Sequence, residues 1–163
     1  MKANNMQILF LCTGNSCRSI IAEATFNHLA PAHMHAMSAG SQPTGEIHPK
    51  SIALLQAKGI STEGYYSKSW ANLPQTPDIV ITVCSHAAGE TCPAYLGNVM
   101  RAHWGVEDPA KVSGSEEEIQ ASFEQAYRVL SARIAAFLAL DLAVLNDRVV
   151  LQSKLQAIGQ IMS

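Results

Sequence analysis

The chain has 163 residues, a length that suits one domain with a core of its own. Its net charge is −2 and 15% of its residues are charged, so the composition does not indicate a nucleic-acid or anionic-membrane partner. No apolar run is long enough to cross a bilayer, and the first five residues leave no room for a signal peptide. We therefore expect a cytoplasmic protein whose four cysteines serve reactive or redox roles, or are buried inert thiols, rather than a disulfide framework.

Apolar residues recur along the chain with strand spacing and helix spacing in alternation. These patterns predict strands at 6–11, 33–40, 78–83 and 98–104, and helices at 19–29, 48–58 and 115–138. Ser115 followed by Glu118 forms a capping box at the start of the last of these helices. The alternation predicts the α/β class, with a parallel sheet flanked by helices.

The end of the chain carries a further amphipathic stretch. We predict a main domain over residues 1–140 and a C-terminal helical extension over 141–163, with apolar positions that include Leu145, Leu151 and Leu155. Packing on the core, dimerisation and an unattached extension all remain compatible with this pattern.

The stretch Cys-Thr-Gly-Asn-Ser-Cys-Arg at 12–18 joins the first predicted strand to the first predicted helix. Gly14 permits close approach to a ligand, and amides at a helix N-terminus form a cradle for anions. Arg18 adds a planar guanidinium suited to a tetrahedral oxyanion. Cys12 begins the turn, where this positive field favours its thiolate. The pattern predicts a nucleophilic thiolate facing a phosphate-like anion, and weakens the alternative of a structural cysteine before an ordinary helix cap.

Residues 12–18 fit the signature C-x5-R, and the run to Ala24 resembles the low-molecular-weight phosphotyrosine phosphatases. In that family an Asp-Pro in the C-terminal half carries the general acid, which matches Asp108-Pro109. The preceding His-Trp-Gly at 103–105 resembles the arsenate reductases built on the same scaffold. Two shorter matches follow in the family's order, Ser38-Ala39-Gly40 and Val83-Cys84. The resemblance covers roughly the first 140 residues and implies a four-stranded parallel sheet with helices on both faces.

The resemblance implies reduction of arsenate to arsenite for arsenic detoxification. Cys12 attacks arsenate, Asp108 protonates the departing oxygen, and Arg18 holds the anion together with the loop residues Thr13, Gly14, Asn15, Ser16 and Cys17. Cys84 then forms a disulfide with Cys12, and Cys92 resolves it as a Cys84–Cys92 disulfide. Phosphate or sulfate is expected to compete for the anion site, and no cofactor is expected.

Seven residues separate Cys84 from Cys92, a slightly longer gap than the resemblance to thioredoxin-linked reductases implies. The reductant, thioredoxin or glutaredoxin with glutathione, therefore stays open. A helix here would set the two Cα atoms about 12 Å apart, whereas a disulfide needs about 7 Å or less, so the segment must change shape. Cys17 forms an intraloop disulfide with the nucleophile in some relatives, but we interpret it here as a structural thiol.

Several further residues are candidates for loop support. We expect Asn15 and Ser19 to hold the loop and the thiolate, although plain turn chemistry accounts for them equally well. Some family members bind a monovalent cation near the positions of Asn15, Glu23 and Ser38. Lys68 stands where another acid is expected, so we interpret its charge as a substitute for the cation and predict no metal. A tether between Glu23 and Lys68 is the corresponding hypothesis.

Two other functions compete with arsenate reduction. The first is a phosphotyrosine phosphatase in which Cys84 and Cys92 are only structural. The paired tyrosines that many such phosphatases carry near the acid are missing, because Val106, Glu107 and Ala110 stand there, which weakens this alternative. The second is an oxyanion-binding module or redox sensor that binds arsenate or phosphate without turnover.

Overall fold

The computed structural model of the chain describes residues 6–73, 75–83 and 99–162. Its strands form one parallel sheet in the order β2-β1-β3-β4, which confirms the predicted α/β class and the four-stranded sheet. The strands are β1 (Met6–Cys12), β2 (Met34–Gly40), β3 (Ile79–Thr82) and β4 (Met100–His103). Cys12 lies opposite Gly40, and Leu11 lies opposite Thr82. The carboxyl ends of the strands therefore meet at one edge of the sheet, where parallel α/β folds bind ligands.

The helices of the described residues are α1 (Arg18–Leu29), α2 (Pro49–Ala57), α3 (Glu116–Leu138), α4 (Leu142–Leu145) and α5 (Arg148–Ile158). Helix α1 contacts β1, β2, α2 and α3, and α5 contacts β4. Short 3-10 turns span Trp70–Asn72 and Pro109–Lys111. None of these helices combines the length and apolar character needed to cross a membrane.

Both faces of the central strand are buried. Ile8 and Phe10 on one face and Leu9 and Leu11 on the other are all 0% exposed. The Phe10 ring lies 6.0 Å from that of Phe26 and 6.1 Å from that of Trp104, in tilted or edge-to-face contacts. These aromatic residues fix the position of α1, and of the start of the loop after β4, relative to the sheet.

The predicted helix starts are confirmed by their capping bonds. Ser115 and Glu118 form the reciprocal capping box at the start of α3. At the start of α2, Nδ1 of His48 accepts a hydrogen bond from the Lys50 amide, and Pro49 occupies the first helical position.

The amphipathic stretch after residue 140 divides into two helices. Asp147 interrupts it, because its side chain accepts hydrogen bonds from the amides of Val149 and Val150 and thereby caps α5. Leu151 and Leu155 of α5 are buried in the main core. Of the possibilities that the sequence left open, the structure shows packing on the core for this helix.

Candidate active site

The loop at residues 12–18 is held from outside through its carbonyl groups. Backbone amides of a neighbouring segment donate to them: Gln42 to Thr13, Thr44 to Gly14 and His48 to Ser16, each at 3.0 Å. The N–H and C=O of a planar trans peptide point in opposite directions. Carbonyls bound on the outer side therefore turn the following amides toward the centre of the loop, as an anion cradle requires.

A glycine at the end of β2 allows the loop to approach the sheet. A Cβ atom on Gly40 would lie 2.4 Å from the Thr13 carbonyl oxygen and 3.1 Å from Asn15 Cβ. Asn15 itself has a positive φ of 49°, a conformation that asparagine tolerates better than most residues. The Ser38-Ala39-Gly40 match thus has a steric reason, since a larger residue than glycine would displace the loop.

Cys12 lies at the base of the loop and is 3% exposed. Its Sγ accepts a hydrogen bond from the Asn15 amide at 3.3 Å and lies 3.0 Å from Ser19 Oγ. Asn15 Nδ2 donates to Ser19 Oγ at 2.8 Å and to Ser38 Oγ at 2.9 Å. Because Ser19 Oγ already accepts from Asn15, its own proton is free to be donated to the Cys12 sulfur.

Glu23 ends this hydrogen-bond network on the side away from the loop. Its Oε1 accepts from Ser38 Oγ at 2.6 Å, and the Lys68 amide donates to Asn15 Oδ1 at 2.8 Å. Burial raises the pKa of Glu23 to about 7, against the opposing effects of the Lys68 charge and the Ser38 hydrogen bond. A buried carboxyl group is thus connected to Cys12 through the hydrogen bonds of Ser38, Asn15 and Ser19.

The expected direct tether between Glu23 and Lys68 is wrong in detail. Among the described residues, no ion pair within 4.0 Å joins them. Lys68 Nζ instead donates to the Tyr66 carbonyl at 3.3 Å and lies 4.4 Å from the centre of the Tyr66 ring, a cation–π contact. The lysine acts on Glu23 at longer range through its charge, which lowers the pKa of that carboxyl group.

Arg18 and Asp108 meet at the rim of the loop. Arg18 Nη2 lies 3.2 Å from Asp108 Oδ2, and Arg18 Nη1 donates to the Val106 carbonyl at 3.0 Å. Asp108 Oδ1 also accepts from the Ala110 amide at 3.0 Å, which fixes the carboxylate on its turn. Within the described residues, the buried Nε of Arg18 has no hydrogen-bond partner. This buried donor is therefore unsatisfied among the described residues, which is unfavourable unless a further group binds it.

A cleft of about 970 Å³ opens above the loop. Thr13, Gly14, Ser16 and Arg18 line it on one side, with Asp108 beside them. The opposite wall comes from three separate segments and includes His103, Gly105, Lys111, Arg133, Gly159, Gln160 and Met162. Asp108 and four of the predicted anion ligands thus line one opening, whereas Cys12 lies beneath the loop and is not among the lining residues.

Cys17 is 4% exposed, and burial raises the pKa of its thiol. Ser16 Oγ lies 3.8 Å from its sulfur, within hydrogen-bond distance for a thiol. Both Cys12 and Cys17 are free thiols in the structure. A buried thiol that resists ionisation fits the interpretation of Cys17 as structural.

The predicted relay cysteines Cys84 and Cys92 lie outside the described residues. The residue before Cys84 is described: the Val83 amide donates to the Leu11 carbonyl at 2.9 Å. The Val83 carbonyl in turn accepts from the Val106 amide at 3.0 Å. Val83 therefore lies between the end of β1, which carries Cys12, and the segment that leads to Asp108.

Sequence reasoning missed the residues that brace the loop. Gln42, Thr44 and His48 act through backbone amides, which any non-proline residue supplies, so no side-chain signal marked them. Ser51 donates through its Oγ to the Ser16 carbonyl at 3.2 Å, yet in the sequence it is one polar residue within a helix. Arg133, which is 1% exposed in α3, likewise occupies an ordinary helix position in the sequence.

No group of three or more His, Cys, Asp or Glu residues in the described part of the chain is arranged to hold a metal ion. The polar side chains behind the loop bind one another: Asn15 donates to Ser19 and Ser38, and Ser38 donates to Glu23.

The fold and the anion loop define a class of protein that comparison with known families identifies. The low molecular weight phosphotyrosine protein phosphatase family matches residues 7–149, and the chain belongs to this family. It is 38% identical over 135 residues to the arsenate reductase of Halalkalibacterium halodurans (strain C-125), across 82% of this chain and 96% of that protein. The resemblance drawn from the motifs is confirmed.

Solved structures agree with this assignment. One is an arsenate reductase in the phosphate binding state, with a TM-score of 0.63 and 27% identity across 80% of this chain and 97% of that one. Another is a thioredoxin-dependent arsenate reductase of Corynebacterium glutamicum, with a TM-score of 0.56 and 29% identity across 80% of this chain and 62% of that one.

Proposed function

We propose that this chain is an enzyme that reduces arsenate to arsenite for arsenic detoxification. One observation carries the proposal: a buried cysteine, a guanidinium and a carboxylate converge on an anion loop in a chain 38% identical to an arsenate reductase. Arsenate is tetrahedral and has the same charge states as phosphate near neutral pH. The inward amides and Arg18 suit both anions, so phosphate and sulfate are expected competitors.

The first step is attack by Cys12 on bound arsenate. The sulfur donates an electron pair to arsenic and an As–O bond breaks, so the arsenic stays in its pentavalent state as a thiol adduct. Ser19 and the Asn15 amide hold the sulfur in place, at 3.0 Å and 3.3 Å respectively. Arg18 and the loop amides neutralise the charge on the remaining oxygens.

Asp108 supplies the proton for the departing oxygen, which leaves as water. Its carboxylate lies 3.2 Å from Arg18, at the mouth of the loop and on the rim that the anion must occupy. Bound anion competes with Asp108 for the guanidinium. This competition weakens the ion pair between Arg18 and Asp108 while the substrate is in place.

Cys84 completes the reduction. Its thiolate attacks Cys12 Sγ, a disulfide forms, and the S–As bond breaks with its electron pair retained by arsenic, which leaves as trivalent arsenite. Cys92 then attacks Cys84, frees Cys12 as a thiolate and leaves a Cys84–Cys92 disulfide. The hydrogen bond between Val83 and Leu11 supports this order, since it holds the residues before Cys84 and Cys12 side by side.

A thiol donor must supply two electrons to reduce the Cys84–Cys92 disulfide. Thioredoxin is one candidate, supported by the thioredoxin-dependent relative, and glutaredoxin with glutathione is the other. Both systems keep thiols reduced in the cytoplasm, where we place the enzyme. Supplying each system separately, with its own reductase and NADPH, identifies the donor by which one sustains turnover.

The test follows arsenate-dependent NADPH consumption by the wild type and by Cys12→Ser, Cys84→Ser, Cys92→Ser and Cys17→Ser. We expect loss in the first three and retention in Cys17→Ser, the matched control. Retention in Cys92→Ser would indicate a monothiol donor instead. Rapid hydrolysis of p-nitrophenyl phosphate without any thiol reductant, and no arsenite, would establish the phosphatase alternative and overturn the proposal.

A further inference from the structure

We propose that Arg133 is a positioning residue for the acid Asp108, and that the segment Gly159–Met162 acts on the acid through it. This inference rests on the role given to Asp108 in the proposed function. Arg133 belongs to α3, and it bonds to backbone groups of two segments that meet at the wall of the cleft. The first leads to the acid, and the second follows α5.

The bonds to the first segment come from one guanidinium nitrogen. Nη1 of Arg133 donates to the Trp104 carbonyl at 2.8 Å and to the Gly105 carbonyl at 3.2 Å. The carbonyl of the next residue, Val106, accepts a hydrogen bond from Arg18. Two residues further on, Asp108 forms its ion pair with Arg18 as well. Arg133 therefore holds the two peptide groups that set the course of the acid-bearing turn.

The bonds to the second segment come from the other nitrogens. Nε of Arg133 donates to the Ile161 carbonyl at 2.9 Å, and Nη2 lies 3.7 Å from Met162 Sδ. Gly159 brings this segment close, because a Cβ atom there would lie 2.8 Å from the His103 carbonyl oxygen. This segment lies beyond residue 149, where the match to the family ends.

The hydrogen bonds of Arg133 indicate that it positions backbone segments and does not serve only to fill the core. Its side chain is 1% exposed, and no carboxylate of the described residues lies within 4.0 Å of it. Burial of a cation is unfavourable unless hydrogen bonds compensate, and an apolar residue would fill the same volume without that penalty. A planar guanidinium holds carbonyls from two segments at relative positions that its rigid fork of donors sets.

The contacts thus run from Ile161 through Arg133 to Trp104 and Gly105, and on through the turn to Asp108. Loss of the Ile161 carbonyl leaves Nε of Arg133 without its partner. The guanidinium then has fewer constraints, and the acid turn moves away from Arg18. Asp108 would protonate the leaving oxygen less well, and it would also compete less with a bound anion for Arg18.

The experiment is a double-mutant cycle on phosphate affinity, measured by calorimetry. It compares the wild type, a chain that stops after Gln160, Asp108→Asn, and the two changes together. We expect truncation to tighten phosphate binding by about fivefold, the range of a partly exposed ion pair. Asp108→Asn should tighten it at least as much, and truncation should add nothing in the Asp108→Asn background. Met162→Ala, which removes only the sulfur contact, should change affinity less than the truncation does.

Arsenate turnover provides the second readout. We expect truncation to lower kcat by about tenfold, which is part of the rate enhancement that a general acid contributes. In the Asp108→Asn background, truncation should not lower kcat below the value of Asp108→Asn alone. Weaker phosphate binding in both backgrounds, equal turnover losses in both, or no effect of truncation would overturn the inference. Failure of the wild type to reduce arsenate with either donor would overturn the proposed function instead, and the phosphate cycle would still decide the role of Arg133.

Discussion

The donor and the acceptor of each hydrogen bond behind Cys12 can be assigned, because one partner in the network, the Lys68 amide, can only donate. Asn15 Oδ1 accepts from the Lys68 amide, so the Asn15 amide group is oriented with its nitrogen toward Ser19 and Ser38. Both serine oxygens accept from that nitrogen. Ser38 then donates to Glu23, and Ser19 is left to donate to Cys12. The side chains of Asn15, Ser19, Ser38 and Glu23 thus form one consistent set of hydrogen bonds that points a Ser19 donor at the Cys12 sulfur.

Ser19→Ala tests this arrangement at the nucleophile. The variant loses the 3.0 Å contact to sulfur and leaves Asn15 Nδ2 with one partner fewer, so the sulfur loses a hydrogen-bond donor that holds it in place. We expect alkylation of Cys12 by iodoacetamide at pH 7 to slow by about tenfold, the effect of one hydrogen bond to a charged group. Ser122→Ala, on the far side of the acid turn, is the control. Equal alkylation rates for Ser19→Ala and the wild type would contradict the arrangement.

Glu23 makes stability depend on pH. Its pKa rises from 4.5 to about 7 on folding, so between these values the folded state binds more protons than the unfolded state. Stability contributed by the neutral carboxyl group is full below pH 4.5 and is lost as the pH rises through this window. From pH 5 to pH 8 we expect a loss of about 2 kcal/mol from this group.

Urea unfolding of the wild type and Glu23→Gln at pH 5 and pH 8 measures this loss. The glutamine variant does not titrate, so its stability should change less between the two values than that of the wild type. An identical pH dependence in both proteins would show that Glu23 is ionised in the folded state at pH 5. Subtracting the two profiles removes the contribution of every other titrating group.

The close contact between the end of β2 and the anion loop determines where the loop lies. Gly40→Ala would place a Cβ atom 2.4 Å from a backbone oxygen of the loop, which cannot yield as a flexible side chain can. We expect at least a tenfold loss of phosphate affinity, because a displacement of about 1 Å in a catalytic site has effects of this size or larger.

Gly59→Ala is the matched control for that substitution. Gly59 also has no side chain and has a positive φ of 75°, but a Cβ atom there meets nothing within 4 Å. It should lower stability by about 1 kcal/mol through backbone strain and leave phosphate affinity unchanged. Normal phosphate binding in Gly40→Ala would show that the loop can shift without loss of the cradle.

Helix α5 stabilises the sheet through its apolar face. Leu155 is 0% exposed, and its carbonyl accepts a hydrogen bond from Trp104 Nε1 at 2.9 Å. Leu155→Ala should lower the free energy of unfolding by about 2–5 kcal/mol through the cavity it leaves. Val149→Ala on the same helix, at an 80% exposed position, should change it by less than about 0.5 kcal/mol. Equal effects at the two positions in urea unfolding would contradict the packing of α5.

Across the described part of the fold, the sequence predicted the features that a local residue pattern determines. Runs of β-branched and apolar residues located each strand to within about two residues, and the motif at residues 12–18 located the anion loop. Ser115 and Glu118 marked the start of α3 because capping uses specific side chains at fixed spacing. The Asp-Pro motif at 108–109 likewise located a carboxylate that lies beside Arg18 in the structure, and its role as the acid stays a prediction.

Other features depend on contacts between distant segments. The braces of the loop are backbone amides of residues 42–48, which carry no side-chain signature. The expected bond from Lys68 to Glu23 is not formed, and Lys68 Nζ contacts a carbonyl and an aromatic ring of Tyr66 instead. The bonds of Arg133 to Trp104 and Ile161 span 29 and 28 residues, a separation at which periodicity gives no information.

A single-turnover experiment tests arsenate reduction by the thiols of this chain alone. Fully reduced protein is mixed with arsenate in the absence of any other reductant, and arsenite, free thiols and disulfide-linked peptides are quantified. We expect one arsenite per chain, loss of two of the four thiols, a Cys84–Cys92 disulfide, and no arsenite from Cys12→Ser. Four intact thiols with no arsenite formed would contradict the thiol relay.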